Sequence, residues 1–198
     1  SAVVGMIGRV VQQKGFDLVT QCLEQLLQRN VQLAVLGTGE EQYQQALLKA
    51  QAAHPGKVGL AFAFDDGLAH LIEAGADLFL MPSQFEPCGL VQIYALAYGA
   101  VPVVRKVGGL TDTVTDTTPE TLEHSTATGF VFGDYQAEAL LACLDRALDV
   151  FFRQPGVWMD IQRNGMNQDW TWQHSAIKYL DVYERALRLR LTSQPASF

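Results

Sequence analysis

The sequence predicts an α/β protein with a Rossmann-like, doubly wound parallel sheet. Three observations lead there. Short apolar runs alternate with stretches of helical periodicity along nearly the whole chain. Strands separated by helices pair in parallel through right-handed crossovers. The run Ala76-Asp77-Leu78-Phe79-Leu80-Met81 is short and apolar and reads as a buried strand. Glycine turns, Gly37-Thr38-Gly39 and Gly108-Gly109-Leu110, lead from strand patterns into helices.

In chain order, a first strand starts at Ala2 and ends near Gly8, and Arg9 to Gly15 is a loop. Phe16 to Gln28 is an amphipathic helix with Leu18, Cys22, Leu26 and Leu27 on one side. Val31 to Leu36 is a strand, Glu40 to about Ala53 a helix, and His54-Pro55-Gly56 a break. A strand runs from Val58 to Phe64, and a short helix from Leu68 to Ala74. The strand through Asp77–Met81 feeds the helix from Val91 to Tyr98. Val101 to Val104 is the next strand, and Thr111 is a possible N-cap for the helix that follows. Pro119 to Thr128 reads as a polar loop, Gly129 to Phe132 as a last strand, and Gln136 to Phe152 as a long helix. Two helical patterns close the chain, about Gly156–Asn167 and Trp172–Leu191, and Thr192 to Phe198 reads as frayed. With no internal repeat or low-complexity linker, residues 1–198 read as one domain. Its core spans about 1–153 and its C-terminal helices about 156–191.

Bulk properties bound the function. The chain has 198 residues, 48% hydrophobic and 18% charged, as a globular protein has. A net charge of −7 argues against a nucleic-acid partner. No stretch is long and apolar enough to span a membrane, and no signal peptide is visible. The three cysteines lack metal-ligand spacing, and Cys22 and Cys143 fall in helical patterns that point inward. The odd count fits a reducing compartment. A strand follows Ser1 at once, with no initiator Met, so the chain is expected to be a domain of a longer protein.

The candidate site centres on Pro82-Ser83-Gln84-Phe85-Glu86-Pro87-Cys88-Gly89-Leu90. There a strand ends, a loop carries one carboxylate, and a helix begins. Open α/β sheets bind ligands beyond the carboxyl ends of their strands, and a helix start offers free N–H groups to an anion. Glu86 is either a ligand-recognition group or a capping carboxylate. Arg9 and Lys14, after the first strand, are suited to a diphosphate, Arg by a forked contact and Lys as a point charge. A solvated basic loop is the alternative. Gly37-Thr38-Gly39 begins like a dinucleotide fingerprint, but Gln42 stands where the third glycine belongs, which argues against NAD. Gly108-Gly109-Leu110 either presents N–H groups to a phosphate or is a turn. Phe64 either stacks on a base or packs in the core. His54, His70, His124 and His174 are scattered; none reads as a metal ligand or general base. Trp158, Trp170, Trp172, Tyr179 and Tyr183 read as packing rather than as a sugar platform, with the last helix docking on an absent element.

Together these motifs resemble the C-terminal domain of bacterial glycogen synthases and plant or cyanobacterial starch synthases, retaining two-domain GT-B glycosyltransferases. The resemblance rests on Arg9 with Lys14-Gly15, on Leu36 to Gly39, on Pro82 to Leu90, on Arg105 to Val114, and on Asp169-Trp170-Thr171-Trp172. It implies ADP-glucose as donor, an α-1,4-glucan as acceptor, no cofactor and no metal, and a place in the bacterial cytoplasm or plastid stroma. Arg9, Lys14 and Glu86 match the family's catalytic set. Gly37, Thr38, Cys88, Gly89, Leu90, Gly108, Gly109 and Leu110 match donor-binding positions. Phe64 stands where relatives place a Tyr against the adenine. Tyr94 occupies the position of a second Glu found in other glycosyltransferases. The resemblance also implies a missing N-terminal domain that carries the other wall of the cleft, so that the chain by itself is expected to be inactive. Competing readings are a transferase of UDP- or GDP-sugars and a non-catalytic nucleotide- or glucan-binding module.

Overall fold

The structure is a computed structural model and describes residues 1–192. Six parallel strands form the sheet: β1 (Ala2–Ile7), β2 (Val31–Leu36), β3 (Val58–Ala61), β4 (Leu78–Met81), β5 (Val101–Arg105) and β6 (Phe130–Phe132). Their order is β3-β2-β1-β4-β5-β6. The chain runs outward from β1 to β3, returns to the other side of β1 at β4, and runs outward again. Strand order therefore reverses between β1 and β4, which pair with Val4 opposite Leu78 and Gly5 opposite Phe79.

The helices are α1 (Phe16–Leu27), α2 (Glu41–Ala53), α3 (Asp66–Gly75), α4 (Val91–Tyr98), α5 (Gly108–Thr113), α6 (Pro119–Glu123), α7 (Ala137–Arg153), α8 (Pro155–Met166) and α9 (Trp172–Thr192). Helices α1, α2 and α7 pack on one face of the sheet and α4 and α5 on the other, which is why a central strand such as β4 is apolar throughout. Side chains alternate across β4. Leu78 and Leu80 enter a core shared with α1, α2, α7 and α8, whereas Phe79 and Met81 enter a smaller core with α4 and α5. The buried stripe of α1, including Leu18, Cys22 and Leu26, recurs at helical spacing.

Several elements depart from the sequence reading. β3 stops at Ala61, so Phe64 lies in a loop. The stretch read as a polar loop opens with α6, because Thr118 and Thr121 cap its start reciprocally and Pro119 fits its first turn. The N-cap of α5 is Val107, and Thr111 lies inside the helix. One compact unit runs Ser1–Asn167 and takes in α8, which the pattern had grouped with the tail. The reason is Trp158, 5% exposed, which stacks on Phe130 at 6.3 Å and meets Phe151 edge-on at 5.0 Å. In the second unit, Asp169 Oδ1 accepts from Thr171 N ahead of α9, and Arg185 pairs with Asp181 along that helix. The expected frayed segment lies outside the described residues from position 193 onward, as does the side chain of His174.

Candidate functional site

The reversal of strand order lays the loop after β1 beside the loop after β4. The first loop is stitched to the loop after β2: Gly8 N donates to Leu36 O at 3.0 Å, Val10 N to Thr38 O at 2.9 Å, and Glu40 N to Val10 O at 2.7 Å. A Cβ on Gly37, whose φ is +146°, would lie 1.8 Å from Gly8 O. Close backbone approach thus requires this glycine, whatever the loop binds. The first loop ends in a 3-10 turn, Gln12–Lys14.

Lys14 Nζ reaches the second loop and pairs with Glu86 Oε2 at 2.5 Å. Glu86 is 5% exposed and also accepts from Ser83 Oγ at 3.2 Å. Gln84 N donates to Gln13 O at 2.9 Å, and Gln13 Nε2 to Phe85 O at 3.3 Å, so the two loops are joined along their length. The capping reading of Glu86 fails. Leu90 is the N-cap of α4, no side chain caps it, and the carboxylate faces Lys14. Among the described residues, no partner takes the N–H groups of Cys88, Gly89 or Leu90 at that helix start. These donors are available to an anion.

Gly108-Gly109 is a seat for this loop. A Cβ on Gly108 would come 1.9 Å from Glu86 O, and one on Gly109 2.1 Å from Cys88 O. The expectation that Gly109 and Leu110 offer N–H groups to a phosphate is corrected. Gly109 N donates to Glu86 O at 3.1 Å and Leu110 N to Val107 O at 3.2 Å, and the Leu110 side chain is buried. Sequence reasoning missed Gln92, fully buried, whose Nε2 donates to the carbonyls of Cys88 and Gly89, both at 3.1 Å. The available signal was a polar residue inside the apolar run Val91–Leu96.

Arg9 and Lys14 turn to different partners. Arg9 Nη2 donates to Gln13 Oε1 at 3.2 Å, and its side chain lines a cleft of about 270 Å³ shared with Ile7, Gly37, Thr38 and Phe64. Phe64 is 100% exposed, which overturns the core-packing alternative for it. It stands at the cleft mouth beside Asp65, whose carboxylate caps α3 by accepting from Leu68 N at 2.9 Å. Phe85, Cys88 and Leu90 are exposed.

His70 Nδ1 lies 3.2 Å from Glu73 Oε2 and 3.4 Å from Tyr98 Oη. Burial pushes the Glu73 carboxyl above the ordinary range, against the opposing pull of His70. Among the described residues there is no cluster of His, Cys, Asp and Glu able to hold a metal. Nor is any described helix long and apolar enough to cross a membrane.

The family described as Glycosyl transferases group 1 matches residues 1–150. The chain belongs to the group 1 glycosyl transferases. Within this family of transferases it is 50% identical over 186 residues to glycogen synthase 1 of Methylococcus capsulatus, covering 94% of this chain and 38% of that one. It is 46% identical over 187 residues to the glycogen synthase of Thermotoga petrophila, with 94% and 38% covered. This glycosyl transferase chain therefore spans less than two fifths of the length of the curated relatives it matches. Its fold superposes with a TM-score of 0.84, at 33% identity, on the catalytic domain of starch synthase IV from Arabidopsis thaliana bound to ADP and acarbose, covering 94% of this chain and 38% of that one. A sucrose-phosphate synthase from Thermosynechococcus elongatus, at 22% identity and a TM-score of 0.70 over 95% of this chain and 46% of its own, shares the fold.

Proposed function

We propose that this chain is the donor-binding half of a glycogen or starch synthase. The complete enzyme transfers glucose from ADP-glucose to the non-reducing end of an α-1,4-glucan with retention. The observation that carries the reading is the pairing of Lys14 with Glu86 at the reversal of strand order. The relatives named glycogen synthase and the ADP-bound starch synthase support it.

In this reading Phe64 offers its exposed face to the adenine, and the diphosphate runs from the Arg9 cleft toward Lys14 and the N-terminus of α4. The free N–H groups of Cys88, Gly89 and Leu90 face the phosphate and sugar, and Glu86 takes sugar hydroxyls. Gly37 and Thr38 line the cleft, while Gly108, Gly109 and Leu110 act through the loop they seat. During transfer the bond between the anomeric carbon and the diphosphate oxygen breaks, and ADP leaves with the electron pair. The acceptor hydroxyl forms the new glycosidic bond and gives up its proton. Charge therefore grows on the terminal phosphate, where fixed cations and N–H dipoles stabilise the transition state more than the bound donor. The reading calls for no metal. The other wall of the cleft and the acceptor site belong to an N-terminal half. The enzyme's expected place is the bacterial cytoplasm or plastid stroma.

Calorimetric titration of the chain with ADP, UDP and GDP tests the donor. ADP is expected to bind most tightly. Equal or tighter binding of UDP or GDP would replace ADP-glucose by another sugar nucleotide, and binding of none would remove the donor role. The isolated chain should transfer no glucose, whereas the complete enzyme should.

A further inference from the structure

At the end of β5, one side chain joins the loop after β4 to the loop after β6. Arg105, the last residue of β5, donates from Nη1 to Gln84 O at 2.9 Å, with Ser83 O at 3.5 Å. Its Nε donates to Gly133 O, just past β6, at 3.1 Å. Its guanidinium lies over the ring of Tyr135, 5.1 Å from the centroid. Tyr135 Oη in turn donates to Asp17 Oδ1 at 2.5 Å, with Gln12 O at 3.2 Å. That hydroxyl is held protonated, because burial and then Asp17 push its pKa up. Gln12 opens the turn that ends at Lys14, and Asp17 lies in the first turn of α1 just beyond it. The carbonyls that Arg105 holds precede Glu86 by two and three residues. The contacts form a ring: Lys14 turn, Tyr135, Arg105, the Ser83–Gln84 carbonyls, Glu86, and Lys14 again.

We propose that Arg105 is a positioning residue for Glu86, and that Tyr135 couples it to the Lys14 turn. Arg105 itself touches neither phosphate nor sugar. It fixes two carbonyls that no helix or strand holds, using a planar fork whose orientation the Tyr135 ring sets. A loop that carries a reacting carboxylate loses rate steeply with small displacements, on the order of a hundredfold for about 1 Å. As a catalytic claim the inference rests on the transferase reading above. As a claim about the loop it stands on the contacts alone.

The test compares Arg105→Gln, Tyr135→Phe, Glu86→Gln and the double variant Arg105→Gln/Glu86→Gln in the complete enzyme, with ADP-glucose and glycogen. Arg105→Gln should lower kcat about ten- to a hundredfold and change the donor KM less than about threefold. Tyr135→Phe keeps the ring and should lose less. The double variant should be no slower than Glu86→Gln alone, because Arg105 acts through Glu86. In Arg105→Gln and Tyr135→Phe, hydrogen exchange should quicken about tenfold at the Gln84 amide, which donates to Gln13 O, and stay unchanged in β1 and β4. Full additivity of the two losses, or a fall in thermal stability with kcat per folded molecule intact, would overturn the proposal. If Arg105→Gln does not fold, Tyr135→Phe carries the same two measurements. A wild-type enzyme idle with ADP-glucose would fail the donor reading instead. The exchange measurement then decides the proposal by itself, and unchanged exchange at the Gln84 amide overturns it.

Discussion

Lys14 and Glu86, 72 residues apart in sequence, close an ion pair of 2.5 Å across two loops at the carboxyl edge of the sheet. The carboxylate is nearly buried, with its side chain 7% exposed, while the Lys14 side chain keeps 26% of its surface. The pair thus has a sheltered end, which needs its partner, and an open end that can turn to a ligand. Ser83 supports Glu86 from below. A donor phosphate arriving at Lys14 would find the ammonium already placed, which lowers the cost of ordering it on binding.

The pair has a stability consequence. Lys14→Ala leaves Glu86 buried beside Ser83 without its cation. This should cost about 1–3 kcal/mol, the scale of a buried polar group left without its partner. The partial exposure of Lys14 keeps the figure below that of a fully buried pair. Adding Glu86→Gln should return part of the loss. Urea denaturation of the two singles and the double checks this, and a Lys14→Ala midpoint equal to wild type would refute it.

The two cations should differ from a simple tether. Arg9→Ala and Lys14→Ala in the complete enzyme should lower turnover more than they weaken donor binding, because charge on the leaving diphosphate grows as the bond breaks. Glu86→Gln should cost on the order of 2–4 kcal/mol of transition-state stabilisation. Steady-state kinetics with ADP-glucose and glycogen separate the cases. Losses confined to KM would reduce the pair to a tether.

Phe64 separates binding from folding. Its ring is 100% exposed, so Phe64→Ala should leave the unfolding midpoint unchanged. It should weaken ADP binding by about 0.5–1.5 kcal/mol, the worth of an aromatic stack. Calorimetry and thermal melts on one preparation check both halves. A lowered melting temperature with intact ADP affinity would place the ring in the fold instead.

Thiol chemistry reports on the site loop. Burial pushes the thiols of Cys22 and Cys143 up to about 11, whereas Cys88 is exposed in the loop. Raised pKa values leave little thiolate at pH 8, so the two buried cysteines should stay silent in the native protein. A disulfide reagent at pH 8 should modify one thiol rapidly and all three in denaturant. ADP should slow the rapid reaction. Fast modification of two thiols without denaturant would count against the packing of α1 or α7.

The sequence by itself determined the order and type of the elements, apart from the short helix α6. Strands buried on both faces must be apolar throughout, as Leu78–Met81 is, and covering helices must show an apolar stripe, as α1 does. Those are local signatures, and they placed Arg9, Lys14 and Glu86 in loops beyond strands. Which loops meet was a tertiary decision. The order β3-β2-β1-β4-β5-β6 sets β1 beside β4, and only that adjacency lets Lys14 reach Glu86. Arg105 could be quoted in a motif, but its hold on the Ser83 and Gln84 carbonyls depends on β5 lying beside β4. Phe64 reads as core by hydrophobicity and is exposed, because β3 ends three residues earlier and hydrophobicity does not record where a strand stops. Gly109 looks like a phosphate donor in the sequence and gives its N–H to Glu86 O in the fold. A backbone donor serves its nearest acceptor, and nearness between distant residues exists only once the sheet is assembled.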